Sequence, residues 1–209
     1  MPKIYSDEEK KEIVRKLKKE ANDLMQEKGV KHTTVDELVR RTGIPKGTFY
    51  LFYPSKEMLL FEVSQDYHEQ VDKFIWEGME KIMLKRHIVP DENADFSDCV
   101  DDITDVILGA MEITFSSCLK VVLMPDAMQL ILSKIPDEVL EKHRHDDEGI
   151  GKGMFAVMAV KKGIDIQALV GSFMQIIFGG MYKREIGEDN WLESMRLLIK
   201  GLVLQMVGR

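Results

Sequence analysis

The chain has 209 residues, enough for one large domain or two smaller ones, and its composition is that of an ordinary soluble protein. Its net charge of −7 divides unevenly: residues 1–60 carry 13 Lys+Arg against 10 Asp+Glu, whereas residues 61–209 carry 16 against 26, so attraction for phosphate is confined to the amino-terminal part. The most apolar stretch, around Val170 to Tyr182, falls short of the ~20 residues that span a membrane, and the amino terminus lacks a signal-peptide core, so we expect a cytoplasmic protein without a membrane segment.

The first two predicted helices each begin at a capping box. Ser6 and Glu9 form the first box, and the helix that follows carries apolar residues on one face as far as Gly29. Thr34 and Glu37 form the second box, in which a hydroxyl and a carboxylate satisfy backbone donors left free at a helix start. The sequence therefore predicts two helices in close succession.

A tight turn at Gly43 separates the second helix from a third. Glycine readily takes the left-handed conformation that ends a helix, and Pro45 sits where a new helix can start without losing a needed donor. We predict a short third helix over Lys46 to Tyr53, closed by Pro54. Two short helices around a glycine turn form a helix-turn-helix, which suits a DNA major groove.

The third helix has two faces at about 100° per residue. One face carries Lys46, Gly47, Tyr50 and Leu51, and the other carries Phe49, Phe52 and Tyr53. Lys46 can reach a phosphate, Gly47 lets the backbone approach closely, and Tyr50 offers a hydroxyl on a stiff aromatic stem. We expect the first face to contact DNA and the second to pack inside the protein.

A long fourth helix is predicted after Pro54. Ser55 caps it, and Lys56 lies in its first turn, where an ammonium and exposed amides together favour a phosphate oxygen. An apolar pattern then continues without proline until Pro90. A continuous helix here would join the helix-turn-helix to the rest of the chain without a flexible linker.

Beyond Pro90 the sequence predicts further helices and no strands. The expected boundaries are a start at Asp95 or Ser97 with an end near Cys118, starts near Pro125 and Pro136, an end near Gly163, and two final helices over Ile164 to Gly187 and Asn190 to Val207. No alternating pattern is long enough for a sheet, so we expect an all-α chain of about nine helices.

The stretch from residue 33 to residue 60, TTVDELVRRTGIPKGTFYLFYPSKEMLL, closely resembles the helix-turn-helix of the TetR-type transcriptional repressors. The resemblance covers roughly the first sixty residues. It implies a three-helix DNA-binding domain over residues 1–56, with the motif at about 34–53, and a helical ligand-binding and dimerisation domain over residues 57–209. The residues that it implies for DNA contact are Thr33, Thr34, Lys46, Gly47, Thr48, Tyr50, Leu51 and Lys56.

Two positions depart from the usual family pattern. Leu51 can press on a thymine methyl but cannot read a base by hydrogen bonding, and Phe52 cannot donate to a phosphate. The base specificity of the motif is therefore left open.

The resemblance also implies a dimer formed by the last two helices. In the family this pair packs against its copy as a four-helix bundle, and Gly179 and Gly180 would allow close approach. The residues expected at the interface are Phe173, Ile177, Met181, Trp191, Met195, Leu198 and Leu202. The alternative is that these apolar faces only close the core of a single chain.

Family members usually couple a small molecule to release from DNA, so the resemblance implies an effector pocket in the second domain. Thioethers and aromatic rings suit a pocket that accepts apolar ligands, although each of these side chains could equally be a core residue. The residues expected to line the pocket are Met79, Met83, Met111, Phe115, Met128, Phe155, Met158 and Met174.

No motif indicates catalysis, a metal or a cofactor. The polar cluster from His143 to Glu148 lacks the spacing of metal ligands, and the glycines of residues 149–153 lack the context of a nucleotide loop. We therefore predict a non-enzymatic, ligand-responsive transcriptional regulator, a dimeric repressor released from a palindromic operator by a small apolar molecule. The alternatives are a small-molecule-binding dimer without useful DNA affinity and an enzyme that uses the helical cavity.

Overall fold

The computed structural model describes residues 5–90, 94–141, 160 and 163–207, and all regular structure in these ranges is helical. The expected all-α fold is therefore confirmed. In chain order the helices are α1 Asp7–His32, α2 Val35–Thr42, α3 Lys46–Phe52, α4 Lys56–Arg86, α5 Val100–Ser116, α6 Leu119–Val122, α7 Pro125–Leu132, α8 at residues 137–141, α9 Ile166–Gly180, α10 Lys183–Ile186 and α11 Glu188–Val207, with one 3₁₀ turn at Ser97–Cys99. The described ranges hold more helices than the nine or so expected, because single-turn helices such as α6 and α10 leave no periodic pattern.

Side-chain caps begin the first two helices as the sequence predicts. Ser6 accepts a hydrogen bond from the amide of Glu9, whose carboxylate accepts one from the amide of Ser6. At α2, Thr34 accepts from the amide of Glu37 at 3.2 Å, and the Glu37 carboxylate forms an ion pair with Arg40 at 2.8 Å. The second cap therefore differs from the expected capping box, because the Glu37 carboxylate pairs with the guanidinium of Arg40.

Gly29 and Gly43 both have a positive φ, a backbone conformation that favours glycine. Gly43 ends α2 as predicted, with φ 70° and ψ 26°. Gly29, with φ 76°, is a kink inside α1 rather than its end, and the helix continues one turn further to His32. Both the amide and the hydroxyl of Thr33 donate to the carbonyl of Gly29, which stabilises this extra turn.

The first of two compact units joins residues 1–69 with residues 114–142. Its core contains side chains from α1 to α4 together with others from α6 and α7. The largest fully buried ones near the helix-turn-helix are Leu17, Leu24, Met25, Leu38, Phe49, Leu59 and Leu60. The helix-turn-helix thus shares its core with a distant part of the sequence, and a separate domain ending at residue 56 stays a prediction.

A buried hydrogen bond joins α1 to the segment that starts α6. Oδ1 of Asn22 accepts from the amide of Cys118 at 2.9 Å, across 96 positions in sequence. Both residues are buried, so leaving this amide without an acceptor would cost about 1–3 kcal/mol. The bond therefore fixes α6 against α1 within the first unit.

The second unit contains residues 70–113 and 143–209. Within it the later part of α4 approaches α5 closely, because a Cβ added to Gly78 would lie 2.6 Å from Val106. In the reverse direction, a Cβ added to Gly109 would lie 2.5 Å from Phe74. Each helix therefore has a glycine at the point where a side chain of the other helix packs against its backbone.

Helix α9 ends earlier than the sequence predicts. A single helix was expected from Ile164 to Gly187, whereas α9 covers Ile166–Gly180 and the chain turns before α10. Nε1 of Trp191 donates to the carbonyl of Gly180 at 2.8 Å, and the ammonium of Lys183 lies 5.4 Å from the centre of the Trp191 ring. A side chain from α11 thus satisfies the last carbonyl of α9 in place of a further helical turn.

The two cysteines, Cys99 and Cys118, are free thiols, and both are buried. Burial raises the pKa of Cys118 to about 12, so this thiol stays protonated at neutral pH. None of the helices in the described residues has the length and apolar character needed to cross a membrane.

Candidate nucleic-acid interface

Helix α3 exposes one face and buries the other. Tyr50 and Leu51 are 51% and 71% exposed, and Lys46 and Gly47 lie exposed beside them. Phe49, on the opposite face, is completely buried. The division of the helix that its sequence predicts is therefore confirmed.

Buried aromatic packing supports the exposed face. The ring of Phe49 meets the ring of Tyr50 edge to face at 5.3 Å, and it lies 6.1 Å from the ring of Tyr53. Edge-to-face contact is a preferred arrangement for aromatic pairs. The Phe49 ring therefore restricts Tyr50 from within the core, while about half of Tyr50 stays open to solvent.

Lys46 is held across the turn by Asp36 of α2. Its Nζ lies 2.7 Å from Oδ1 of Asp36, and the hydrogen bond to this carboxylate raises the pKa of Lys46. Both side chains are more than half exposed, so the pair adds little to stability and can open at small cost. Lys46 thus carries a full positive charge at the start of α3. Its ammonium can leave Asp36 and bind another anion instead.

Three of the residues expected to contact DNA turn their polar side-chain atoms into the protein. The hydroxyl of Thr33, which is fully buried, donates to the carbonyl of Gly29 at 2.9 Å. Thr48 is only 6% exposed, and its hydroxyl lies 3.1 Å from that of Tyr5. Nζ of Lys56 donates to the carbonyl of Thr33 at 2.7 Å. These side chains hold the helices beneath the surface, and direct contact between them and DNA stays a prediction.

The last turn of α1 adds two basic side chains that the sequence interpretation missed. Lys31 and His32 are exposed and lie three and two positions before Thr34, which is also exposed. The available signal was this basic pair, which only Thr33 separates from the cap residue Thr34. Lys31 places a positive charge near the start of α2 in sequence, where free amides attract anions.

Several other cations around the motif are neutralised by carboxylates. Glu37 pairs with Arg40 at 2.8 Å and with Lys28 at 3.2 Å, and these hydrogen bonds lower the pKa of Glu37 to about 2. Arg41 donates two hydrogen bonds to Glu27, at 2.9 and 2.6 Å. The positive charge of residues 1–60 is therefore available to an outside anion at fewer places than its total indicates.

Helices α9 and α11 border an open groove of about 480 Å³ in the second unit. Small and apolar residues line much of it, including Ser172, Ile176, Gly179, Leu198, Gly201 and Leu202. Of the residues expected at a dimer interface, Met195, Leu198 and Leu202 lie in this groove. The others, Phe173, Ile177, Met181 and Trp191, are partly buried.

The residues expected to line an effector pocket are distributed over both units. Met79, Met83, Met111 and Met174 belong to the second unit, Phe115 and Met128 belong to the first, and Phe155 and Met158 lie outside the described residues. Met79 and Met111 are buried, and Met128 packs against the core of the first unit. None of the six that the structure describes lines the groove between α9 and α11, so the effector pocket stays a prediction.

The described residues contain no group of three or more His, Cys, Asp or Glu side chains able to hold a metal ion. The polar cluster His143 to Glu148 and the glycines of residues 149–153 lie outside the described residues.

Comparison by sequence finds one family. Residues 18–63 match the family model described as bacterial regulatory proteins, tetR family, and this segment contains all of α2 and α3. No curated protein matches the chain by sequence.

Solved structures share the fold at low sequence identity. The chain is similar to the TetR family transcriptional regulator PfmR from Thermus thermophilus, with 18% identity, a TM-score of 0.60, and coverage of 93% of this chain and 100% of that one. A putative TetR-family transcriptional regulator from Syntrophomonas wolfei is 21% identical, with a TM-score of 0.58 and coverage of 93% of this chain and 96% of that one. The TetR-family transcriptional repressor FadR of Thermus thermophilus, in complex with lauroyl-CoA, is 15% identical, with a TM-score of 0.52 and coverage of 94% of this chain and 96% of that one.

Proposed function

We propose that this member of the tetR family of bacterial regulatory proteins is a ligand-responsive repressor that binds operator DNA as a dimer in the cytoplasm. One observation carries the proposal. Lys46, Gly47, Tyr50 and Leu51 form a continuous exposed face on α3, while Phe49 anchors the helix in the core. We call these four exposed residues the reading face.

The reading face offers three kinds of contact to a major groove. Lys46 can exchange Asp36 for a phosphate oxygen, because its present partner is an exposed carboxylate. The hydroxyl of Tyr50 can hydrogen-bond to a base edge or a phosphate, and Leu51 can contact a thymine methyl. Gly47 leaves room for the DNA backbone next to the helix. The face therefore combines positioning contacts with limited base readout.

A second copy of the chain is the proposed occupant of the groove between α9 and α11. The groove is open, is lined by small and apolar side chains, and exposes 57% of Leu198. Gly179 and Gly201 leave space for a helix of the partner to approach closely. A two-fold dimer would present two reading faces, so its operator is expected to be palindromic with half-sites about 34–36 Å apart or multiples of that spacing.

An effector is proposed to act through α4. This helix runs from Lys56 to Arg86 without interruption and contributes residues to both units. A ligand that binds one arrangement of the second unit more tightly would shift the equilibrium toward it and release DNA. The apolar side chains expected at the pocket favour an apolar effector, and lauroyl-CoA, which is bound to the Thermus thermophilus FadR, is a reasonable first probe.

Binding of the purified protein to the DNA upstream of its own gene tests the proposed function. Fluorescence anisotropy across a salt series should show tight binding that weakens steeply with salt, and a scrambled duplex of equal composition should bind far more weakly. Equal affinity for the two duplexes would contradict the proposal. Dimers that bind a small molecule but neither duplex would favour the alternative of a ligand-binding protein without useful DNA affinity.

The substitution Gly47→Ala tests whether Gly47 is needed for close approach of DNA or only for packing within the protein. A Cβ at this position meets no atom within 4 Å, and alanine is favoured over glycine in a helix by ~1 kcal/mol. We expect the variant to melt at an equal or higher temperature by circular dichroism and to bind operator at least about tenfold more weakly, since the methyl group occupies space needed by DNA. Unchanged affinity would show that DNA does not approach Gly47.

Leu198→Glu is expected to convert the dimer to monomers and to weaken operator binding by at least about tenfold. A carboxylate in the apolar groove would lose its hydration when the partner binds, and a monomer has only one reading face. Light scattering after size-exclusion chromatography measures the mass. Leu197→Glu is the matched control, because Leu197 is 65% exposed on the same helix but does not line the groove. Equal masses for the two variants would place the interface elsewhere.

A further inference from the structure

The segment before α1 reaches the recognition helix. The hydroxyl of Tyr5 lies 3.1 Å from Oγ1 of Thr48, although the two residues are 43 positions apart. Tyr5 is partly buried and Thr48 is 6% exposed, so water has limited access to this hydrogen bond. The contact therefore connects the beginning of the chain with the first turn of α3.

Helix α3 has few other means of fixing its first turn. It has only seven residues, and its N-cap residue, Pro45, provides no side-chain acceptor for the amides at the helix start. The amide of Thr48 donates to the carbonyl of Pro45 at 2.9 Å, which is a local bond that moves with the turn. The ion pair of Lys46 with Asp36 attaches this turn to α2, but both of its side chains are more than half exposed. The bond from Tyr5 differs because it is partly buried and comes from the segment before α1.

Thr48 is placed where a small displacement would alter the reading face. It follows Lys46 and Gly47, which are exposed, and precedes Phe49, which is fully buried. A rotation of the first turn about the buried Phe49 would carry the ammonium of Lys46 and the backbone of Gly47 away from their positions. Displacements of about 1 Å are enough to weaken contacts that depend on geometry.

We propose that Tyr5 is a positioning residue for DNA recognition, whose hydroxyl fixes the first turn of α3 through Thr48. The inference rests on the proposed function, because the consequence for DNA requires that α3 reads it. The sequence gives no local sign of this role, since Tyr5 lies outside the helix-turn-helix and outside residues 18–63.

A double-mutant cycle tests the pair. Tyr5→Phe keeps the ring and removes the hydroxyl, and we expect it to weaken operator binding about three- to tenfold, as for one lost hydrogen bond, with binding to scrambled DNA unchanged. The loss should vanish in a Thr48→Val background, which has no hydroxyl to position, and should persist in Thr48→Ser, which keeps one. An equal loss in all three backgrounds, or no loss at all, would overturn the proposal.

Hydrogen exchange gives a second test that does not depend on DNA. In the free protein, Tyr5→Phe should speed amide exchange at Thr48 and Phe49 and leave the amides of α2 unchanged. Thr48→Val should speed exchange at Phe49 to the same extent, because it removes the other hydroxyl of the same hydrogen bond. Exchange rates equal to those of the original chain would overturn the positioning role. A positive exchange result with no DNA binding by the original chain would contradict only the proposed function.

Discussion

Replacing either Lys46 or Tyr50 with alanine is expected to weaken operator binding at least about tenfold, with a much smaller effect on thermal stability, at Tyr50 about 1 kcal/mol from the lost edge-to-face contact with Phe49. Both side chains are more than half exposed on α3, so their removal leaves no cavity. Lys46 is expected to meet a phosphate, and its loss should therefore reduce the slope of log affinity against log salt by about one. Anisotropy titrations at several salt concentrations, with melting curves for each variant, measure both effects.

Two variants act as controls for this prediction. Tyr50→Phe keeps the aromatic stem, so its affinity shows how much of the loss belongs to the hydroxyl. Asp36→Asn should act in the opposite direction and strengthen binding, because it frees Lys46 and removes a negative charge near the phosphates. If Lys46→Ala and Asp36→Asn change affinity in the same direction, the assignment of Lys46 to a phosphate is wrong.

The largest expected effect on stability is that of Phe49→Ala. Phe49 is completely buried in the core of the first unit and contacts the rings of Tyr50 and Tyr53. Truncating a buried phenylalanine costs about 3–5 kcal/mol, which is a large share of the stability of a typical domain. Urea unfolding followed by circular dichroism should show this loss, and operator binding should fall because α3 is no longer held in place.

Leu51→Ala is the matched control for Phe49→Ala. Leu51 lies two positions away on the same helix but is 71% exposed, so its truncation should change the free energy of unfolding by less than about 0.5 kcal/mol. Similar unfolding curves for the two variants would contradict the division of α3 into a buried and an exposed face.

Local patterns predicted the recognition helix well. The position of Gly43 predicted the turn, and the helical period alone separated Phe49 from the exposed Tyr50 and Leu51. These features depend on backbone preferences and on spacing within a few residues, both of which a sequence displays directly. The fold class and the start of each early helix follow from the same information.

Contacts between distant residues could not be predicted in this way. The hydroxyl of Thr48 meets that of Tyr5, and the ammonium of Lys56 donates to the carbonyls of Val30 and Thr33 at the end of α1. Likewise, Asn22 and Cys118 are brought together only by the packing of α6 against α1. A side chain that could face DNA by its position in the motif can thus be engaged inside the protein by a partner far away in sequence.

Selection from a random pool of DNA duplexes tests the central claim most directly, because it assumes no operator. The original chain should enrich a two-fold symmetric sequence whose half-site centres lie about 10 base pairs apart, or a multiple of that spacing, and the double variant Lys46→Ala/Tyr50→Ala should enrich none. Failure of the original chain to enrich any sequence, or enrichment of the same sequence by the double variant, would contradict the assignment of the reading face.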